Sequence, residues 1–287
     1  MPEVAHGMPI FFTLWVFATG AVVGSFLNVV IARVPKGQSI VTPASRCPNC
    51  GKSIAWYDNI PVISWLVLRA RCRSCGLPIS PRYPLVELLT AALAVAVLRH
   101  AGPTWAALGY FAFVAALIAL AYIDLDTWLL PHQITWPLLA VGLLSPIWNR
   151  ALSWKAAAIG AGAGFAAFAA IAVVGEKLLK RETMGWGDVW LLAAIGAWLG
   201  WSALLPVVLL SALQGAVVGT ILIATRRDPQ APAEPVPPAV ASSDDDWVPP
   251  RHAVPYGPFL ALGALEYLFF GDRLVSGWNA VLFRLLS

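Results

Sequence analysis

Charge is scarce in this chain. Asp, Glu, Lys and Arg make up 12% of its 287 residues, about half the share of a typical soluble domain. That scarcity excludes an ordinary water-soluble fold. Acids are rarest of all between Arg33 and Arg82, where eight of the 19 basic residues are accompanied by Asp58 alone. Cysteine is missing everywhere except residues 47–75, which hold all four. The N-terminus lacks a basic stretch and a small-residue cleavage site, so its first apolar run is expected to be retained. The basic excess carries no sign of nucleic-acid binding and reads as an orientation signal for a membrane.

What the chain has in abundance is apolar sequence: 59% of residues are hydrophobic and the mean hydropathy is +0.73. Long apolar runs recur, each the length of a membrane-crossing helix. The expected fold is therefore an all-α polytopic membrane protein. Eight transmembrane helices are expected, at 10–31, 84–98, 105–123, 129–148, 156–175, 189–199, 204–224 and 258–270, with an amphipathic tail to 287. Gly20, Gly24 and Ser25 share one face of the first helix and suit close helix packing. Basic residues gather at 33–82, at Lys177, Lys180 and Arg181, and at Arg226 and Arg227. The positive-inside rule places these three segments in the cytoplasm and both chain ends outside. Residues 228–251, rich in Pro, Ala and acids, read as a disordered linker.

The polar loop at 36–82 carries its cysteines as two pairs, Cys47-Pro48-Asn49-Cys50 and Cys72-Arg73-Ser74-Cys75. Two such knuckles bring four thiolates into a tetrahedron, the geometry of structural Zn²⁺. The 21 residues between Cys50 and Cys72 demand a longer hairpin than the usual ribbon. The alternatives are a pair of disulfides or four incidental thiols, but disulfides are rare in the cytoplasm.

Two segments place carboxylates at the edge of an apolar run: Asp124 and Asp126 in Tyr122-Ile123-Asp124-Leu125-Asp126, and Asp188 in Met184-Gly185-Trp186-Gly187-Asp188. An ionisable side chain at membrane depth is costly and marks a functional site. The charge bias puts Asp124 and Asp188 on the same, cytoplasmic side. Two carboxylates that meet can divide the work of hydrolysis, one donating a proton while its ionised partner activates a water. The alternative is that both cap helices at the interface. Gly185 and Gly187 leave out side chains where an extended peptide would need to approach the backbone, and so would border a substrate gap. Glu87 is a further acid within a span, expected to bond to the basic loop at the interface.

Taken together, these motifs resemble the type IV prepilin peptidases, prepilin leader peptidase/N-methyltransferases of the A24 aspartic class. The resemblance rests on GSFLNVVIARVP (Gly24 to Pro35), the two cysteine pairs and Asn59-Ile60-Pro61-Val62-Ile63-Ser64-Trp65-Leu66. It continues through Arg82-Tyr83-Pro84-Leu85-Val86-Glu87, IDLDTWLLP (Ile123 to Pro131), MGWGD (Met184 to Asp188) and Tyr256-Gly257-Pro258. It implies a two-step enzyme of the inner membrane acting on type IV prepilins and type II secretion pseudopilins. The enzyme would cleave their basic leader on the cytoplasmic face, then methylate the new amino terminus with S-adenosylmethionine. Asp124 and Asp188 match the catalytic positions, and Asp126 is the nearby acid. Methyl transfer is associated with the amino-terminal region, with Gly24, Asn28 and Arg33 as candidates. Residues 1–35 would then form the first helix and its motif, 36–82 the zinc-binding loop, and 83–287 the peptidase core.

Two positions depart from the resemblance. The family usually continues LPD where this chain has Leu130-Pro131-His132, and usually carries Lys two residues after the GxGD aspartate, where this chain has Trp190. His132 could restore some of the positive charge lost at 190, or both positions face headgroups and tolerate change. Two other functions compete on the sequence: a proton-coupled transporter with midplane acids, and a non-catalytic zinc-bearing scaffold of the pilus or secretion machinery.

Overall fold

In the structure, a computed structural model, residues 9–180, 184–225 and 254–286 are described. The expected linker at 228–251, together with Arg181, Arg226 and Arg227, lies outside them. Nine helices run through the described residues: α1 (Ile10–Arg33), α2 (Ile63–Val67), α3 (Arg82–Ala101), α4 (Trp105–Thr127), α5 (His132–Leu144), α6 (Trp154–Leu179), α7 (Trp186–Leu199), α8 (Leu204–Thr225) and α9 (Gly257–Leu286). The described residues contain no strand, only two isolated antiparallel bridges, Arg46 with Ser53 and Arg71 with Pro78. Two compact units, Met1–Ala119 and Leu120–Ser287, divide the chain within α4.

In the first unit, α1 packs along α3. Between lipid-embedded helices burial gains little, because lipid tails are as apolar as Leu, so close approach and dispersion must hold the seam. The sequence supplies that approach through Gly20 and Gly24. A Cβ on Gly20 would lie 2.8 Å from the Ala91 Cα, and one on Gly24 2.7 Å from the Glu87 Cα. Any side chain at either position forces the helices apart.

The second unit is built around α7, whose residues Val189 and Leu191–Trp198 are all buried. A helix apolar on every face belongs inside a bundle. Glycines again set its contacts: Gly160 of α6 and Gly196 of α7 face each other backbone to backbone. Gly142 of α5 makes room for Trp198, whose indole N–H donates to the Leu138 carbonyl at 2.8 Å. By contrast α8 exposes Leu205, Leu209, Leu213, Val217 and Ile221 in one i, i+4 stripe. Such a stripe suits lipid and would be a liability in water.

Among the described residues, five helical segments are long and apolar enough to cross a bilayer: Ile10–Lys36, Arg82–Ala101, Trp105–Thr127, Trp154–Leu179 and Trp201–Thr225. The molecule is thus an all-helical, multi-pass membrane protein. Three other expected spans take a different form. The run at 129–148 yields α5, which starts after Pro131, carries Pro137 inside and has only 13 residues. At 1.5 Å per residue that is about 20 Å, against about 30 Å of hydrocarbon. The run at 189–199 is the buried α7, of 14 residues. The span at 258–270 and its tail form the single 30-residue helix α9.

Candidate active site and metal cluster

Asp124 lies in the last turn of α4 and is 5% exposed. The helix stops at Thr127 because Trp128 turns left-handed, with φ of 57°, while its N–H still donates to the Asp124 carbonyl at 2.9 Å. One carboxylate oxygen, Oδ2, accepts the backbone N–H of Gly257 at 3.0 Å. That donor is 133 positions away in sequence and belongs to the first residue of α9. It is one of the N–H groups that a helix start leaves without an internal partner.

Asp188 occupies the first turn of α7, two residues after Trp186 opens the helix, with Gly185 as its N-cap. Its Oδ1 is buried and has no hydrogen-bond partner among the described residues. Leu130 lies against both Gly187, the residue before Asp188, and Gly257, which holds Asp124, and the two carboxylates are near enough to interact electrostatically. The two aspartates therefore come together within one unit, Asp124 from the end of α4 and Asp188 from the start of α7. Asp126 is half-buried, one turn-position away on α4.

Leu130 bridges this arrangement. A Cβ on Gly257 would meet the Asp124 Oδ2 at 2.5 Å and the Leu130 Cδ1 at 3.3 Å. A Cβ on Gly187 would meet the Leu130 Cβ at 2.7 Å. The space beside Gly187 is thus filled by Leu130. Gly185 is different: the nearest atom to a Cβ there is the Asp188 Oδ2, at 4.0 Å. Of the two glycines expected to border a gap, Gly185 is the one whose Cβ position has no neighbour closer than 4.0 Å among the described residues.

His132 and Trp190 fall in one aromatic cluster. His132 stacks on Trp136 at 5.1 Å, Trp136 meets Trp190 edge-on at 5.9 Å, and Trp190 leans on Phe165 at 4.9 Å. Offset and edge-on contacts at these separations are favourable. They tie α5, α7 and α6 together, with Trp190 two positions after Asp188 on α7.

In the first unit the four cysteines converge. Their sulfurs lie within 4.8 Å of one another, and the Sγ atoms of Cys47 and Cys75 are 3.7 Å apart. A tetrahedron with Zn–S bonds of about 2.3 Å has sulfurs about 3.8 Å apart. The two knuckles repeat one design. Cys47 N–H donates to the Lys52 carbonyl and Gly51 N–H to the Cys47 carbonyl; Cys72 N–H donates to Leu77 and Gly76 N–H to Cys72. Gly51 and Gly76 each close the turn at positive φ, 68° and 71°. Backbone N–H groups aim at the sulfurs as well. Those of Cys50 and Asn49 lower the Cys47 thiol below its ordinary value, and that of Leu77 pulls Cys75 down to about 6. Cys50 receives the Lys52 N–H, yet burial and the neighbouring thiols outweigh it and push this group up to about 11. Four thiolates so close need a cation to coexist, and the cluster can hold one metal ion.

The loop around the cluster is tied to its helices. Val62 N–H donates to the Glu87 Oε2 at 2.8 Å, and Ser25 of α1 bonds the same carboxylate. Asn28 donates to the Tyr83 carbonyl and Arg33 to the Ser39 carbonyl. Arg73 grips Asp58 with two hydrogen bonds, 2.8 and 2.6 Å, which hold the Asp58 carboxyl below the usual range. Between the end of α1, the loop and the start of α3 lies a cavity of about 470 Å³, lined among others by Asn28, Arg33, Asp58, Tyr83 and Glu87.

Sequence reasoning singled out the aspartates and the cysteines but missed the Gly257 donor and the Leu130 plug. The Tyr256-Gly257-Pro258 motif was a signal for the first, although a motif does not say which carboxylate a backbone N–H serves. For Leu130, buried in the structure, no signal stands out from any other apolar residue.

Comparison with known proteins follows the same division. Residues 18–101 match the family model of the bacterial peptidase A24 N-terminal domain, and residues 111–220 match that of the type IV leader peptidase family. A prepilin leader peptidase/N-methyltransferase of Myxococcus xanthus is 44% identical, with 92% of this chain and 91% of the relative covered. Proteins of the same name in Aeromonas hydrophila (40% identical, 95% of each chain) and Burkholderia pseudomallei (41%, 88% of this chain and 83% of the relative) are also similar. No solved structure matches.

Proposed function

The chain belongs to the type IV leader peptidase family, and on that premise we propose that it is a prepilin leader peptidase/N-methyltransferase whose peptidase dyad is Asp124 and Asp188. The observation that carries the residue assignment is the meeting of these two carboxylates at the edge of the bundle, one held by a backbone N–H and the other with a buried oxygen left unpartnered.

The chemistry follows from that asymmetry. An ionised carboxylate takes a proton from water as the water oxygen attacks the scissile carbonyl carbon. The partner carboxylic acid donates its proton to the carbonyl oxygen, giving a neutral diol. Collapse reforms the carbonyl, breaks the C–N bond and delivers a proton to the leaving amine. Asp124, fixed by Gly257, suits the ionised role, and the Asp188 Oδ1 is free to carry the shared proton. The amine released is the new N-terminus of the pilin, which is the group a subsequent methylation needs.

Substrates on this reading are type IV prepilins and type II secretion pseudopilins, cleaved at the cytoplasmic face of the inner membrane. A helix cannot be cut while its carbonyls are hydrogen-bonded, so the junction between leader and helix must unwind. The open side of Gly185 gives it an approach, while Leu130 fills the space beside Gly187. The cytoplasmic placement of the loop and the division into 1–35, 36–82 and 83–287 belong to the same proposal.

Cys47, Cys50, Cys72 and Cys75 would hold a structural Zn²⁺, closed by four thiolates and so without an open position for hydrolysis. For methyl transfer the 470 Å³ cavity has the size of a small-molecule site. Its lining fits S-adenosylmethionine: Glu87 offers a carboxylate for a cationic ligand, and Arg33 and Asn28 can meet a carboxylate. Bound there, the cofactor supplies a methyl group activated by a sulfonium. The chain's part is to seat it between Asn28 and Arg33 of α1 and Tyr83 and Glu87 of α3. Gly24 does not line the cavity but sets the α1–α3 seam.

Nothing in the structure favours a transporter or a non-catalytic scaffold. The deciding experiment incubates the purified protein in detergent or nanodiscs with a prepilin and follows leader removal and methyl incorporation separately. Absence of leader cleavage by folded protein would overturn the reading.

A further inference from the structure

The start of α9 is arranged around Asp124 in a way that helix formation alone does not require. Of the first backbone groups of this helix, the N–H donors of Phe259 and Leu260 both go to the Tyr256 carbonyl, at 3.0 and 3.1 Å. Pro258 has no N–H to give. Gly257 therefore supplies the donor that the first turn leaves over, and it goes to the Asp124 Oδ2 at 3.0 Å in a buried setting. The same residue has no side chain, and it needs that absence for space rather than for backbone conformation, since its φ is not in the left-handed region. A Cβ there would stand 2.5 Å from the Asp124 Oδ2 and 3.2 Å from its Cγ. Tyr256, just before it, feels the charge of Asp188.

We propose that Gly257 is a positioning residue of the peptidase site, orienting the Asp124 carboxylate through its backbone N–H and through the room its missing side chain leaves. The inference rests on Asp124 being a member of the dyad. Its physical basis is that an aspartate at a helix end has two free torsions, and hydrolysis needs one oxygen facing the water and the partner acid. The N–H of a helix start pins one oxygen, which decides where the other one points. A single methyl at position 257 retains the N–H but occupies the volume of Oδ2, so the carboxylate must rotate or retreat by about 1 Å. Misplacement on that scale costs roughly a hundredfold in rate in a site that depends on orientation.

The test is Gly257→Ala, read as kcat and KM for leader cleavage of a prepilin. The expected result is a fall in kcat of at least tenfold with KM within about twofold, because the approach beside Gly185 is untouched. Gly215→Ala is the control: it adds the same methyl to α8 beside Phe259, at an ordinary 3.6 Å, and should cleave at the wild-type rate. Asp124→Asn separates the two readings. If it cleaves normally, Asp124 is not catalytic and the premise fails; if it is inactive while Gly257→Ala has a wild-type kcat, the positioning inference is overturned. A second measurement does not depend on Gly257→Ala folding. In ¹⁵N-labelled wild type the Gly257 amide should exchange slowly, and in Asp124→Ala its exchange should quicken at least tenfold while Phe259 and Leu260 keep their protection. Unchanged Gly257 exchange in Asp124→Ala would equally sink the proposal.

Discussion

Gly24→Ala should separate the two activities, and the size of the perturbation can be read from the α1–α3 seam. A Cβ at 24 would stand 2.7 Å from the Glu87 Cα and 3.1 Å from the Thr90 Cβ, where ordinary contact begins at 3.4 Å. The Glu87 contact is to backbone, which cannot swing aside, so α1 and α3 must part by about 0.7 Å or more, the difference between those two distances. Overpacking of this kind costs roughly 1–3 kcal/mol, which lowers stability without abolishing the fold. The consequence for the cavity is sharper. Asn28 and Arg33 line it from α1, and Tyr83 and Glu87 from α3, so the same displacement pulls its walls apart. A shift approaching 1 Å in a positioning site can cost about a hundredfold. The assay is paired: methyl incorporation into an already cleaved pilin, and equilibrium binding of S-adenosylhomocysteine by calorimetry. Both should weaken at least tenfold while leader cleavage stays within about twofold, since the dyad and its supports lie in the second unit. Wild-type methylation by Gly24→Ala would refute the assignment of this cavity. Loss of both activities together would refute their separation.

Asp124→Asn and Asp188→Asn should each reduce leader cleavage by about a thousandfold or more, because neither group can both accept and donate; Asp126→Asn should be much milder, measured by the same cleavage assay. The purified protein should contain about one Zn²⁺ per chain by metal analysis, lost together with protection of the thiols from alkylation when Cys47 and Cys75 are changed to serine; freely alkylated cysteines and no zinc in the native protein would contradict the cluster. The Arg73–Asp58 pair should give the loop a weak acid sensitivity. Asp58 is held below its ordinary value, so its contribution is present above the usual aspartate range, near pH 4, and is lost as pH falls through the lowered value; limited proteolysis of the 36–82 loop should show that step in wild type and lack it in Asp58→Asn.

How much of this was legible beforehand depends on whether a feature is local in sequence. The cysteine cluster is local: each knuckle needs only a four-residue spacing and a following glycine, and Gly51 and Gly76 adopt the left-handed turn that such a design requires. The glycine face of α1 was readable for the same reason, as Gly20 and Gly24 are one helical turn apart. The proximity of Asp124 and Asp188 was approached through charge bias, which can place two residues on one side of a membrane but cannot bring them into contact. The Gly257 hydrogen bond was out of reach, since a backbone donor 133 positions away leaves no mark in composition or periodicity. The helix ends also escaped. Hydropathy counted 129–148 as a span, yet Pro131 and Pro137 confine the helix to 13 residues, while the last span and its amphipathic tail form one continuous helix, α9.

The two departures from the family pattern take on a different meaning once their neighbours are known. Considered singly, His132 in place of an acid and Trp190 in place of a base each unbalance the charge near Asp188. In the structure both belong to one contact chain, His132 on Trp136 and Trp136 on Trp190. An acid and a base are thus lost from the same cluster, and their opposite charges go together. Replacing a low-dielectric ion pair by packed, apolar groups of similar volume is often neutral or favourable, whereas removing one partner leaves an uncompensated charge and costs several kcal/mol. Stacking supplies the substitute: each ring contact contributes about 0.5–1.5 kcal/mol beyond its area, and Phe165 adds a third ring face to Trp190. The ladder from α5 through α7 to α6 therefore secures by dispersion the N-terminal half of α7, the helix that carries Asp188.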